Sequence, residues 1–184
     1  MATKLIALYL SKEGVREVGN NGGADVIEFQ KAVDGRAIRE AWCMAFMQWG
    51  ALQLCKEYGV VCPVYGSEHC NTVYNKTPEK YRHKEPRRGS WFIQKSRTSD
   101  AGHTGCALDG GSVKFETIEG NTDPAGGSEG DGVYRTWRLI TGTASKSQRG
   151  FIDVSQMLAD VINESWAAKE AARQKITGAP VPKA

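Results

Sequence analysis

The chain has 184 residues, 40% of them hydrophobic and 24% charged, which is enough apolar material for the core of one domain and excludes a disordered or low-complexity chain. Its 24 basic residues nearly balance 21 acidic ones, and no apolar stretch is long enough to span a bilayer. Lys4 precedes only six apolar residues, Leu5 to Leu10, before Ser11, with no small-residue cleavage site after them, so no secretory signal is expected and the chain reads as soluble and cytoplasmic.

Hydrophobic periodicity predicts helices over 3–12, over 24–33 with Val26, Phe29 and Val33 on one face, and over 42–58. The third is apolar almost all round, as a central buried helix would be. Residues 59–88 read as irregular. Strands follow near 90–96, 103–109, 112–120, 133–139 and 151–154, with the Gly-, Ser- and Pro-rich stretch 123–132 as a loop beside the third of them. After Ser155 the pattern is helical again, with Leu158, Val161, Ile162 and Trp166 on one face. No internal repeat is visible, and the sequence reads as one domain.

Three islands carry the chemistry: Trp42-Cys43, Gly102-His103-Thr104-Gly105, and Thr117-Ile118-Glu119-Gly120-Asn121-Thr122. A cysteine attacks an amide only as thiolate, and it needs a histidine to take and return the proton and a polar group to orient that imidazole. Cys43 falls in the first turn of the predicted central helix, where unpaired N–H groups and the helix dipole favour an anion. A buried cysteine among apolar residues is also, with equal weight, a plain core residue. His103 and the pair Glu119 and Asn121 lie on two arms of a predicted hairpin. A three-residue loop, 110–112, would set His103 opposite Glu119, whereas a two-residue loop would turn Glu119 to the other face.

These islands, with Glu17-Val18-Gly19-Asn20-Asn21-Gly22-Gly23, Arg88-Gly89-Ser90-Trp91-Phe92 and Arg149-Gly150-Phe151-Ile152-Asp153, resemble the CHAP family of cysteine- and histidine-dependent amidohydrolases and peptidases found in bacteriophage endolysins. The resemblance runs from about residue 13 to 154. It implies a papain-like α+β fold, with N-terminal helices on an antiparallel sheet: a catalytic domain over 1–154, and a C-terminal helix and tail over 155–184 packed on or extending it. It implies Cys43 as nucleophile, His103 as general base and acid, and Glu119 or Asn121 as the orienting group. Asn21 would join the Cys43 N–H in holding the oxyanion, and Trp42 and Trp137 would contact substrate.

The implied activity is peptidoglycan hydrolysis at an amide of the stem peptide, cross-bridge or muramoyl-L-alanine linkage, by a monomer acting on the bacterial wall after release from the host cytoplasm. The alternatives are an interbacterial cell-wall amidase effector and a catalytically inactive wall-binding module. Cys106 and Ser90 depart from the family's usual residues without touching the chemistry. The calcium-binding acidic loop of some members has no counterpart, since Asp25 and Glu28 read as a solvated helix face, so no metal and no cofactor is expected.

Five cysteines without a Cys-x-x-Cys pair give no disulfide framework, and the other thiols are expected to serve packing. Cys62, His69, Cys70 and His83 fit none of the usual zinc spacings. Between 76 and 97 eight Lys or Arg face Glu79 and Glu85, a local +6 that leaves the remainder of this +3 chain at −3. The segment reads first as a solvated connection, or else as a patch for an anionic wall polymer. Nucleic acid is not expected as a partner, because no recognition helix or aromatic stacking platform accompanies the charge, and no membrane insertion is expected either.

Overall fold

The computed structural model describes residues 1–127 and 129–177. It is an α+β structure of five helices and a six-stranded antiparallel sheet in the order β1-β6-β2-β3-β4-β5. Helix α1 (Ala2–Leu10) buries Leu5, Ile6 and Tyr9, and α2 (Ala24–Asp34) buries Val26 and Phe29 and stops at Gly35, whose φ of 83° is the left-handed cap that ends a helix. The central helix α3 (Cys43–Tyr58) is buried over its whole first half, from Cys43 to Ala51, which is why its sequence shows no polar stripe. Tyr9 ties these layers together: its hydroxyl donates to the Met47 carbonyl (2.6 Å) and accepts from Trp91 Nε1 (3.1 Å).

The strands are β1 (Arg82–His83), β2 (Trp91–Ser96), β3 (Gly102–Ala107), β4 (Lys114–Thr122), β5 (Gly132–Leu139) and β6 (Lys146–Ile152). Alternation divides the sheet. Trp91, Ile93, Cys106, Ile118 and Ile152 point toward the helices and share their core. Phe92, Ala107, Phe115 and Phe151 form a smaller apolar cluster on the opposite face.

Two regions differ from the sequence expectation. Residues 59–88 contain α4 (Cys70–Lys76), a 3₁₀ turn (Glu79–Tyr81) and β1. Seven helical residues are too few for a periodic signal, and β1 exists through its pairing with Phe151 and Ile152 of β6 rather than through its own composition. The last strand starts at Lys146, five residues early, because the polar Lys-Ser-Gln stretch becomes strand through its pairing with Ser96, Lys95 and Gln94 of β2. Helix α5 (Val154–Thr177) enters the main core through Val154, Met157 and Leu158. Trp166, read on the same face as Leu158, Val161 and Ile162, is 68% exposed, whereas Ile162 one turn earlier is buried.

No described helix is long and apolar enough to cross a membrane. Within the basic segment, Lys80, Arg87 and Lys95 pair with Asp160, Asp153 and Asp100, which neutralises part of its local excess.

Candidate active site

Cys43 is the first residue of α3 and only 5% exposed. Its partner element is β4, which comes close because Gly120 has no side chain: a Cβ there would lie 2.6 Å from the Trp42 ring and 2.9 Å from the Phe46 ring. Trp42 is the residue before the helix and is fully buried, packed on Phe29 and Phe46, with its Nε1 donating to Glu17. A side chain so enclosed has no surface for a substrate, which corrects the expected contact role of Trp42; it anchors the helix end that presents Cys43.

Strands β3 and β4 pair at Cys106↔Ile118 and Ala107↔Thr117. The intervening segment is longer than either loop considered from sequence, but the register keeps the parity that sets His103 and Glu119 on one face. Extended by one residue pair, it sets Gly105 opposite Glu119, two residues from His103. A Cβ at Gly105 would clash with Glu119 Cγ, so the glycine leaves the space through which the glutamate crosses to the imidazole. His103 Nε2 then lies 2.7 Å from Glu119 Oε2, with both side chains fully buried.

Glu119 has two further partners. Thr117 Oγ1 donates to Oε1 (2.6 Å), and Arg138 of β5 grips both oxygens, Nε to Oε1 (2.7 Å) and Nη2 to Oε2. Arg138 is itself held by the Gly126 carbonyl (2.7 Å) and lies over the Phe92 ring. Burial alone would raise the Glu119 carboxyl, but the bonds from Arg138 and His103 outweigh it and bring its pKa down to about 2. Glu119 is therefore a permanent anion, so Nε2 carries a proton and Nδ1 is the nitrogen left to exchange one with a reactant.

Cys43 completes the set. A hydrogen bond from the Cys70 thiol, whose sulfur is 3.9 Å from that of Cys43, lowers the Cys43 pKa well below the usual thiol range; burial opposes this, while His103 and the Met44 N–H assist it. For His103 burial acts to lower the pKa, but interaction with Cys43 and Glu119 prevails and raises it above the ordinary imidazole value. Both shifts run in the direction that favours moving a proton from the thiol to the imidazole. In the sheet register His103 stands opposite Gln94, which stands opposite Gln148. His103 Nδ1, both amide atoms of Gln94 and Gln148 Oε1 are buried without hydrogen-bond partners, a row of polar groups that includes the imidazole's second nitrogen.

The cleft at Cys43 has a volume of about 230 Å³ and is bordered by Glu40, Glu68, Cys70 and Glu129. Burial and the adjacent Glu40 raise Glu68 to about 8. A larger cavity of about 540 Å³, sharing Glu129, is lined by Glu17, Asn21, Asn121 and Asp123 among others.

Asn121 does not reach His103. It sits at a break in the β4–β5 register with φ of 55°, so alternation fails there and its amide reaches Glu129 (3.5 Å). Of the two orienting candidates, Glu119 is the one in contact. Asn21 lines the larger cavity and donates to the Arg39 carbonyl (3.2 Å), which places it outside the lining of the Cys43 cleft. Trp137 stands opposite Glu116 on the other face of β5 from Arg138, 53% exposed and capped by Lys114; alternation carries it away from both cavities.

Cys70 and Arg138 were not among the sequence candidates. The first lies in the segment read as irregular, and the second in a strand whose alternation marks it as facing the same way as Thr136 and Tyr134 but names no partner. Asp25 and Glu28 are engaged by Lys12 and Trp49, and no group of three or more His, Cys, Asp or Glu converges to hold a metal among the described residues.

Compared with known proteins, the chain matches no protein-family profile and no curated protein with significance.

Proposed function

We propose that the chain is a cysteine-dependent amidohydrolase of the CHAP kind, papain-like in fold, that cleaves an amide bond of peptidoglycan. The observation that carries this reading is the series formed by a thiol at a helix N-terminus, a buried histidine that favours its ionisation, and a carboxylate bonded to that histidine and held ionised by arginine. A purely structural cysteine has no use for such a series. The substrate class rests on the resemblance of the three motif islands to that family.

In the proposed reaction the Cys43 thiolate attacks the amide carbonyl. The N–H of Cys43, unpaired by its place in the first helical turn, faces the developing oxyanion. His103 Nδ1 gives its proton to the departing amine, leaving a thioester on Cys43. Nδ1 then takes a proton from water, whose hydroxide displaces the thiolate and frees the carboxylic acid. Glu119 holds the ring in this tautomer throughout, and Arg138 fixes Glu119.

The test is digestion of purified peptidoglycan, with mass spectrometry of the released fragments to identify the bond. New paired amine and carboxyl ends with the native chain, and none with Cys43→Ala, support the reading. Binding without fragments would return the chain to a wall-binding module, and neither binding nor fragments would remove peptidoglycan as its substrate.

A further inference from the structure

We propose that Cys70 is a resolving cysteine: on exposure to a peroxide it forms a reversible disulfide with Cys43, which closes the site and spares Cys43 from irreversible oxidation. The inference rests on the thiol geometry alone and stands apart from the choice of substrate.

The two sulfurs are 3.9 Å apart and must approach by roughly 2 Å to bond, which a turn of side chains with a small backbone shift supplies. Cys70 begins α4, a short helix after an irregular segment, whereas Cys43 belongs to the most deeply buried helix, so Cys70 is the side able to move. Both border the same cleft, which gives a molecule the size of hydrogen peroxide a route to them. Cys106 is fully buried beneath the opposite stretch of β3 and Cys55 lies toward the far end of α3, so neither competes for Cys43.

The chemistry balances with hydrogen peroxide as oxidant. The Cys43 thiolate attacks one peroxide oxygen, the O–O bond breaks, and Cys43 sulfenic acid forms with release of hydroxide. The Cys70 sulfur then attacks the sulfenic sulfur, the S–O bond breaks, and the hydroxide that leaves takes up the Cys70 proton as water. Two thiols and one peroxide thus give one disulfide and, with the proton returned to the first hydroxide, two waters. Two exchanges with a dithiol reverse it.

The experiment treats the reduced full chain with a small excess of hydrogen peroxide, blocks free thiols, and maps peptides under non-reducing conditions. A Cys43–Cys70 linked peptide is expected as the main product at Cys43, with loss of its iodoacetamide labelling and recovery of at least nine-tenths of that labelling after dithiothreitol. In Cys70→Ser the same treatment should carry Cys43 to sulfinic acid, with labelling not recovered. Cys55→Ser should retain the linked peptide. Sulfinic acid at Cys43 of the native chain, a bond from Cys43 to another cysteine, or equal recovery in native chain and Cys70→Ser would each overturn the proposal. Because the readout is thiol chemistry, it holds or fails whether or not peptidoglycan is cleaved.

Discussion

The two faces of β3 are buried to the same degree and are built from opposite materials. Cys106 joins the helix-side core of Trp91, Ile93 and Ile118, where packing alone decides. Three residues back along the strand, on the other face, His103 meets Glu119 and Arg138, three ionisable groups enclosed beside Phe92 and Phe115. Taking such charges out of water costs several kcal/mol per ion, and well-packed apolar residues serve stability as well or better. A buried charge network next to an adequate apolar core is thus poorly explained by stability and well explained by the need to hold one carboxylate ionised against one imidazole.

The largest expected break in this comparison is at the thiol. In the proposed reaction the nucleophile acts as a unit with its base, so Cys43→Ala and Cys43→Ser should lower hydrolysis on the order of a thousandfold or more, yet alter unfolding free energy by no more than about 1 kcal/mol. Activity on the released-fragment assay and a denaturant titration measure the two sides. Lytic activity of Cys43→Ala at the native level would remove the nucleophile assignment.

Next in size is the arginine. Arg138→Met leaves Glu119 buried without its main counter-charge and should destabilise the fold by about 3–5 kcal/mol, while Arg138→Lys, which keeps charge but loses the two-pronged grip, should recover part of that. On the apolar face of the same sheet, Ile93→Val should cost only about 0.5–1.5 kcal/mol. Equal losses for Arg138→Met and Ile93→Val in urea would erase the contrast between the faces.

How far this contrast was legible beforehand depends on the range of the interactions. Helix α3 and the strands bearing His103 and Glu119 follow from local periodicity, and the parity of the hairpin needed only the correct pairing to become definite. Arg138 reaches Glu119 across strands, and Cys70 reaches Cys43 from a helix of seven residues. Neither contact leaves a periodic trace in its own segment. Trp42 was misjudged because an aromatic beside a nucleophile looks the same whether it faces a substrate or, as Gly120 permits here, the core.

Titration separates the faces further. The rate should fall as pH drops through the depressed Cys43 pKa, well below the ordinary thiol range, and fall again as pH rises through the raised His103 pKa, above the ordinary imidazole value. Glu119→Gln should draw the alkaline limb to lower pH. For stability the sign is that of a depressed acid: with the folded pKa at about 2 against an ordinary 4.5, Glu119 contributes on the order of 3 kcal/mol fully above the ordinary value, lost as pH falls toward 2. Denaturant midpoints between pH 5 and pH 2 that fall equally for native chain and Glu119→Gln would place that acid sensitivity elsewhere.

The smallest effect is expected at Trp137. Its neighbour Arg138 points to the charged face, so by strand alternation Trp137 points to the other, where it is 53% exposed and Lys114 lies 4.7 Å above its ring. A ring there touches neither the cleft at Cys43 nor the cavity beside Asn121. Trp137→Ala should therefore leave kcat/KM within about twofold and unfolding free energy within about 1 kcal/mol, the loss being of one half-exposed ring and its cation–π contact. Arg138→Met, one residue along the same strand, is the internal control. A drop in kcat/KM beyond tenfold for Trp137→Ala, with the denaturant midpoint unchanged, would mean that substrate extends around the edge of β5 and that the division of labour between the two faces ends at that strand.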